Sequence, residues 1–125
     1  MPYHAQITLD IYPDVMEETS FPTGYFNSNG VFVPTSNIGR TLRLMARVLD
    51  ASNDEVILDS QADASICEPL SGDPFYVYIK IPSSLTALLP LGQHPFSIVD
   101  ITDAGTDGEV LIAIGVINVI RQATY

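Results

Sequence analysis

Two histidines, His4 and His94, and a single cysteine, Cys67, are the side chains of this chain best suited to chemistry near neutral pH. His4 is near the terminus and His94, before Pro95, reads as a turn residue; neither stands at metal-ligand spacing from the other or from the thiol, and the lone cysteine excludes a cysteine-rich zinc site and an internal disulfide. A Ser-His-Asp hydrolase would need His94 as its base, and no GxSxG elbow or comparable nucleophile setting accompanies it. Hard cations want carboxylates at alternate loop positions. "DASNDE" places Asp50, Ser52 and Asp54 in that pattern, and "DAGTDG" offers Asp103, Asp107 and Gly108. The first lacks the sharp-turn glycine and neither has the closing bidentate glutamate, so both read as acidic hairpin tips. Tyr76, Tyr78 and Lys80 share one face of a strand and suit either a sugar-binding groove or an exposed sheet face or interface, where tyrosine is common. No catalytic residue, cofactor or metal is expected, and the protein reads as non-enzymatic.

The remaining chemistry is charge. Fifteen acidic residues against five basic ones give 125 residues a formal net charge of −10, and three of the five cations, Arg40, Arg43 and Arg47, crowd into "GRTLRLMARVLD". So few cations argue against nucleic acid and against an anionic membrane, while the acidity suits a positively charged partner or simple solubility. The three arginines have two readings of equal standing: pairing across an interface, where a rare positive charge fixes register, or neutralising nearby Asp50, Asp54 and Asp59. "MPYHAQITLD" lacks the basic and apolar regions of a signal peptide, and the longest apolar run, Val110 to Ile117, is too short to cross a bilayer. A soluble protein made in a cytoplasm is expected.

Short β-rich runs between regularly spaced turn residues predict an all-β sandwich or barrel of one domain. "QITLDI" alternates Ile7, Leu9 and Ile11 with polar residues. "FYVYIKI", bracketed by Pro74 and Pro82, puts Phe75, Val77, Ile79 and Ile81 on one face. The arginine segment fits helical spacing, but Leu42, Leu44, Ala46 and Val48 also alternate cleanly. The turn-forming Ser52-Asn53-Asp54 that follows decides for a hairpin strand. "FSIVDI" precedes "EVLIAIGVINVI", whose apolar density predicts burial on both faces or cover by a neighbouring subunit, and Gly115 within it predicts a bulge or a close backbone approach. Residues 1–38 differ in texture: a first strand, then a long connection predicted to form an arm with a "GYF-NSNG-VFV" hairpin. That connection carries Tyr12, Phe21, Tyr25, Phe26 and Phe32, which with the three arginines are the candidate interface residues. Residues 39–125 are the predicted sandwich core.

From Arg40 to Val119 the order of elements resembles a known family. The most specific segment is S-x-T-x-x-L-x-x-G (Ser84, Thr86, Leu89, Gly92), followed by Asp100 in "VDITD" and by Gly115. This is similar to the small immunoglobulin-like β-sandwich structural proteins of tailed bacteriophages, akin to the N-terminal domain of baseplate upper proteins. Here "GQHPF" follows the glycine, where that family commonly has an aromatic sooner, and residues 1–38 fall outside the pattern.

The resemblance implies an immunoglobulin-like sandwich and a virion structural protein, made in the host cytoplasm, most simply a capsid decoration or cement protein. Its partners would be the major capsid protein and copies of itself, with a trimer expected. A tail or baseplate adaptor, or a carbohydrate-binding module built on Tyr76 and Tyr78, are the alternative readings.

Overall fold

A computed structural model describes residues 3–4, 6–48, 55–61, 66–103 and 108–121. Among them the fold is almost wholly β, with one helical turn. A five-stranded sheet runs in the order β2 (Gln6–Ile11), β11 (Val110–Val119), β10 (Gly92–Asp100), β6 (Leu42–Arg47), β7 (Val56–Asp59). A three-stranded sheet is ordered β3 (Glu17–Pro22), β9 (Tyr76–Ile81), β8 (Cys67–Pro69). A second, smaller trio joins β1 (Tyr3–His4), β4 (Gly24–Phe26) and β5 (Phe32–Pro34), and α1 (Ser83–Thr86) follows β9.

Period-two alternation sets which face each strand buries. In β6 the buried residues are Leu42, Leu44 and Ala46, with Arg43, Met45 and Arg47 on the other face, so the arginine segment is a strand as its pattern predicts. Its partner β10 turns Phe96 and Ile98 inward, and Ile98 pairs with Leu44. Opposite them β9 contributes Val77, Ile79 and Ile81, all without solvent exposure, so the two larger sheets share one apolar core. Fully burying a side chain such as Leu44 is worth roughly 1.5–3 kcal/mol.

The apolar β11 sits between β10, antiparallel to it, and β2, parallel to it. Gly115 stands where backbones crowd: a Cβ there would lie 2.1 Å from the Ile7 carbonyl oxygen and 2.5 Å from the Phe96 ring. The close approach expected of this glycine is therefore present, with the ring of its cross-strand partner Phe96 filling the space a side chain would take. A bulge falls nearby, where Ile98 faces Ala113 and Val99 faces Leu111, leaving Ile112 as the extra residue. β11 is not buried on both faces: Val110, Leu111 and Ile114 remain exposed.

Three expectations need correction. Phe75 does not join the inward face of β9 and is 43% exposed. It belongs to the preceding turn, where its N–H donates to Asp73 Oδ1 and its carbonyl accepts from Thr23 N–H. His94 lies inside β10 and is buried, not in a turn. The connection after the first strand is not all an arm apart from the body, because residues 17–22 form β3 of the three-stranded sheet, while the expected first strand is β2 of the larger one. The element that stands off the two large sheets is the β4–β5 hairpin.

Candidate functional site

The arginines resolve into separate environments along β6. At its mouth, Arg40 donates from Nε to Asp100 Oδ2 at 2.5 Å and from Nη2 to Asp103 Oδ2 at 2.9 Å. Asp100, at the end of β10, also accepts from Thr102 N–H at 3.0 Å and from Thr102 Oγ1 at 2.6 Å, and the Thr102 hydroxyl in turn accepts from Thr41 N–H. Burial works to raise the Asp100 pKa, but the hydrogen bonds from Thr102 and Arg40 outweigh it and hold the carboxyl below its ordinary value. On the outer face Arg43 grips Asp59 with two bonds, 3.0 and 2.8 Å, and this keeps the Asp59 pKa low. Arg47 borders a shallow depression with Met45, Pro95, Phe96 and Ser97. Asp59 is thus an intramolecular partner, as one of the two sequence readings has it, while Asp50 and Asp54 lie outside the described residues.

The five aromatics do not form one surface. Phe21 faces inward from β3 and packs against the core. Tyr12 is exposed in the turn between β2 and β3. Tyr25, Phe26 and Phe32 belong to the predicted hairpin, in which Phe26 pairs with Phe32 and their rings meet edge to face at 5.3 Å. Asn27 shapes the tip, its Oδ1 accepting from the N–H groups of Asn29 and Val31.

A buried polar node at the hairpin's base has no sequence signature. Thr23 N–H donates to the Phe75 carbonyl, and Thr23 Oγ1 lies 3.2 Å from both the Thr35 and Phe75 carbonyls. Asn37 Nδ2 donates to the same hydroxyl at 2.8 Å, and Asn37 N–H donates to the Pro74 carbonyl at 2.7 Å. Both side chains are essentially without solvent exposure, so the node fixes the hairpin against the turn before β9. Neither residue stands out in the sequence, because buried Thr and Asn have the composition of loop residues and only their distant partners distinguish them. Between hairpin base and β11 lies a cavity of about 240 Å³, lined by Gly24, Tyr25, Asn37, Asp100, Val110 and Leu111 among others.

The side chains first singled out for chemistry are dispersed. His94 Nε2 is 2.8 Å from the Pro90 carbonyl oxygen, tying β10 to the loop before it. Burial pushes the Cys67 thiol up to about 12, which disfavours a nucleophilic thiolate at neutral pH. His4 lies in β1, opposite Tyr25 of β4. Tyr76, Tyr78 and Lys80 do share the outer face of β9, across from Pro22, Ser20 and Glu18 of β3. Desolvation and a hydrogen bond to Glu18 raise the Tyr78 pKa. Among the described residues no three His, Cys, Asp or Glu side chains gather to hold a metal ion, and no helix is long and apolar enough to cross a membrane. Ser52 and Asp107 of the two acidic turns are outside the described residues.

No family model matches the chain, and no curated protein matches it at a significant level.

Proposed function

We propose that the protein is an immunoglobulin-like β-sandwich that serves as a non-enzymatic structural component of a bacteriophage virion, a capsid decoration or cement protein. The observation that carries this reading is what the residues behind the family resemblance do. Thr86 is fully buried, and its hydroxyl reaches the Val15 carbonyl at 3.0 Å and the Ser83 carbonyl at 3.1 Å, tying α1 to the turn between β2 and β3. Leu89 is buried, and Gly92 opens β10 at φ 112°, a backbone setting that strains any side chain. Asp100 anchors the start of β6, and Gly115 admits β2 to the sheet. Five of the six marker residues brace the fold; the sixth, Ser84, is exposed.

A cement protein gains from being small and braced, and its acidity suits an outer surface away from packaged DNA. The protruding β4–β5 hairpin, with Phe26 at its rim, is the element offered to the capsid protein. The test is quantitative mass spectrometry of purified particles, with add-back of the protein to particles that lack it. Hundreds of copies per particle and restored resistance to heat or osmotic shock are expected of a surface-covering protein. Presence in purified tails alone would replace this reading with a tail adaptor. Glycan binding through the Tyr76–Tyr78 face, with none to particles, would replace it with a carbohydrate-binding module.

A further inference from the structure

β2 is an edge strand whose pairing and whose covalent attachment lie in different places. Among the described residues its ladder partner is β11 alone, parallel to it, with Ile7 opposite Gly115 and Ile11 opposite Val119. Leu9 and Ile11 are buried in the core, Asp10 Oδ1 accepts from Asn118 Nδ2, and the Ile11 carbonyl accepts from Ile120 N–H. β1 precedes β2 and pairs with β4. The strand β2 leads into, β3, belongs to the three-stranded sheet, so no ladder bond ties β2 to its own successor. The opposite edge of the large sheet differs, because β7 pairs with β6, the strand just before it.

The loop that joins β2 to β3, Tyr12 to Met16, is short and strained. Asp14 stands at φ 67°, in the left-handed region, alone among the described residues other than glycine. That conformation brings a Cβ too close to the following carbonyl oxygen. A bond from Val15 N–H to the Tyr12 carbonyl, 3.1 Å, closes the turn that imposes it. Proline fixes its own φ near the extended value and biases the residue before it the same way, so Tyr12 and Pro13 suit a straight path as well. Drawn out, the five residues span about 16 Å. Opening this turn releases Asp14, and short hinge loops under strain favour exchange of the element they carry.

We propose that two copies of this chain exchange the segment before Pro13, β1 and β2 of each completing the sheets of the other. The occupant of the β11 edge is then fixed by identity. The same residues fill it in the same register, with Leu9 and Ile11 buried, Asp10 at Asn118, and Gly115 admitting the Ile7 backbone. Every contact of β2 in the single molecule is kept, and the strain at Asp14 is relieved in both chains. What opposes the exchange is the freedom lost when two molecules become one, so the dimer gains as concentration rises. Reciprocal exchange is two-fold symmetric and closes on itself. The inference concerns the chain alone and does not rest on a capsid.

The full chain, refolded from urea over a range of protein concentrations, tests it by sedimentation velocity. The dimer fraction should rise with concentration, and the dimer should persist on dilution, because separating it requires β2 to leave its sheet. Asp10 and Asn118 meet on the exposed side of the β2–β11 pair, so an Asp10→Cys/Asn118→Cys variant oxidised after refolding reports whose β2 is bound. Exchange predicts a covalent dimer on a denaturing gel; contact between whole molecules gives disulfides within single chains. Two hinge variants test the strain independently of that cross-link, since Asp14 is exposed. Asp14→Gly should lower the dimerisation constant about tenfold, and Asp14→Ala should raise it, alanine tolerating the left-handed region less well than aspartate. A wild-type protein that refolds only to monomer at every concentration would overturn the proposal. So would a dimer whose engineered disulfides stay within each chain, or hinge variants that dimerise like wild type.

Discussion

Replacing Gly115 by alanine would place a methyl carbon 2.1 Å from a backbone oxygen of β2 and 2.5 Å from the Phe96 ring. The oxygen belongs to Ile7, Gly115's register partner, and must retreat by about 1 Å before the contact is tolerable. A retreat of that size stretches the neighbouring ladder bonds from roughly 2.9 Å to nearly 4 Å, past any useful hydrogen bond. Losing one or two of them costs about 1 kcal/mol each, and displacing a buried ring from its rotamer adds about 1–2 kcal/mol. Gly115→Ala should therefore destabilise by about 2–4 kcal/mol. Urea unfolding followed by tyrosine fluorescence and circular dichroism would read this as a midpoint lowered by about 1–2 M at ordinary slopes. Adding Phe96→Leu should recover none of the ladder loss, since the backbone of β2 is the harder obstacle. A Gly115→Ala protein within 0.5 kcal/mol of wild type would refute the packing argument, as would full rescue by Phe96→Leu.

Leu44→Ala removes a side chain with no exposure and should cost about 2–5 kcal/mol in the same assay, while Arg43→Ala, on the outer face, should cost no more than about 1 kcal/mol. Thr86→Val keeps the shape but leaves the Val15 carbonyl without its donor, for an expected loss of about 1–3 kcal/mol by urea unfolding. Asp59 and Asp100 have folded pKa values below their unfolded ones, so their stabilisation is complete above roughly pH 4 and is lost as pH falls through the lower folded values. Thermal midpoints measured across that range should fall on the acid side, and Asp100→Asn should shrink the fall. Burial, with Asp10 nearby, raises the Glu17 pKa instead, a cost at neutral pH that is relieved as pH falls through its raised folded value. Glu17→Gln should therefore stabilise at pH 7 by up to about 0.5 kcal/mol, seen as a higher melting midpoint.

Strand identity was legible wherever a single face is buried. Leu9 and Ile11, the β6 series, and Val77, Ile79 and Ile81 each announce an inward face by alternation. The hairpin at Asn27–Gly30 was legible from turn chemistry, and the crowding at Gly115 from a glycine amid β-branched residues. Pairing was not legible. Nothing local in "QITLDI" or "EETSFP" says that one joins the larger sheet beside a strand about a hundred residues away and the other crosses to the second sheet. An aromatic-rich stretch that reads as a free arm is instead divided, with Phe21 in the core and Phe26 at the surface. Ion pairs obeyed the same limit: Asp59 is close in sequence to Arg43, but the carboxylates that hold Arg40 lie sixty residues on.

The parallel pairing of β2 with β11 also sets a clock. Asp10 and Asn118, whose side chains meet at 3.3 Å, are 108 residues apart. At about 5–20 residues per second, a ribosome finishes the second several seconds or more after the first. Throughout that interval Leu9 and Ile11 have no strand to pair with, although β3, which follows them directly, can find β9 much earlier. Closing so long a loop for one edge strand is slow in free solution as well. The larger sheet is therefore completed last at its β2 edge, and an unfinished chain exposes a strand built to bind another.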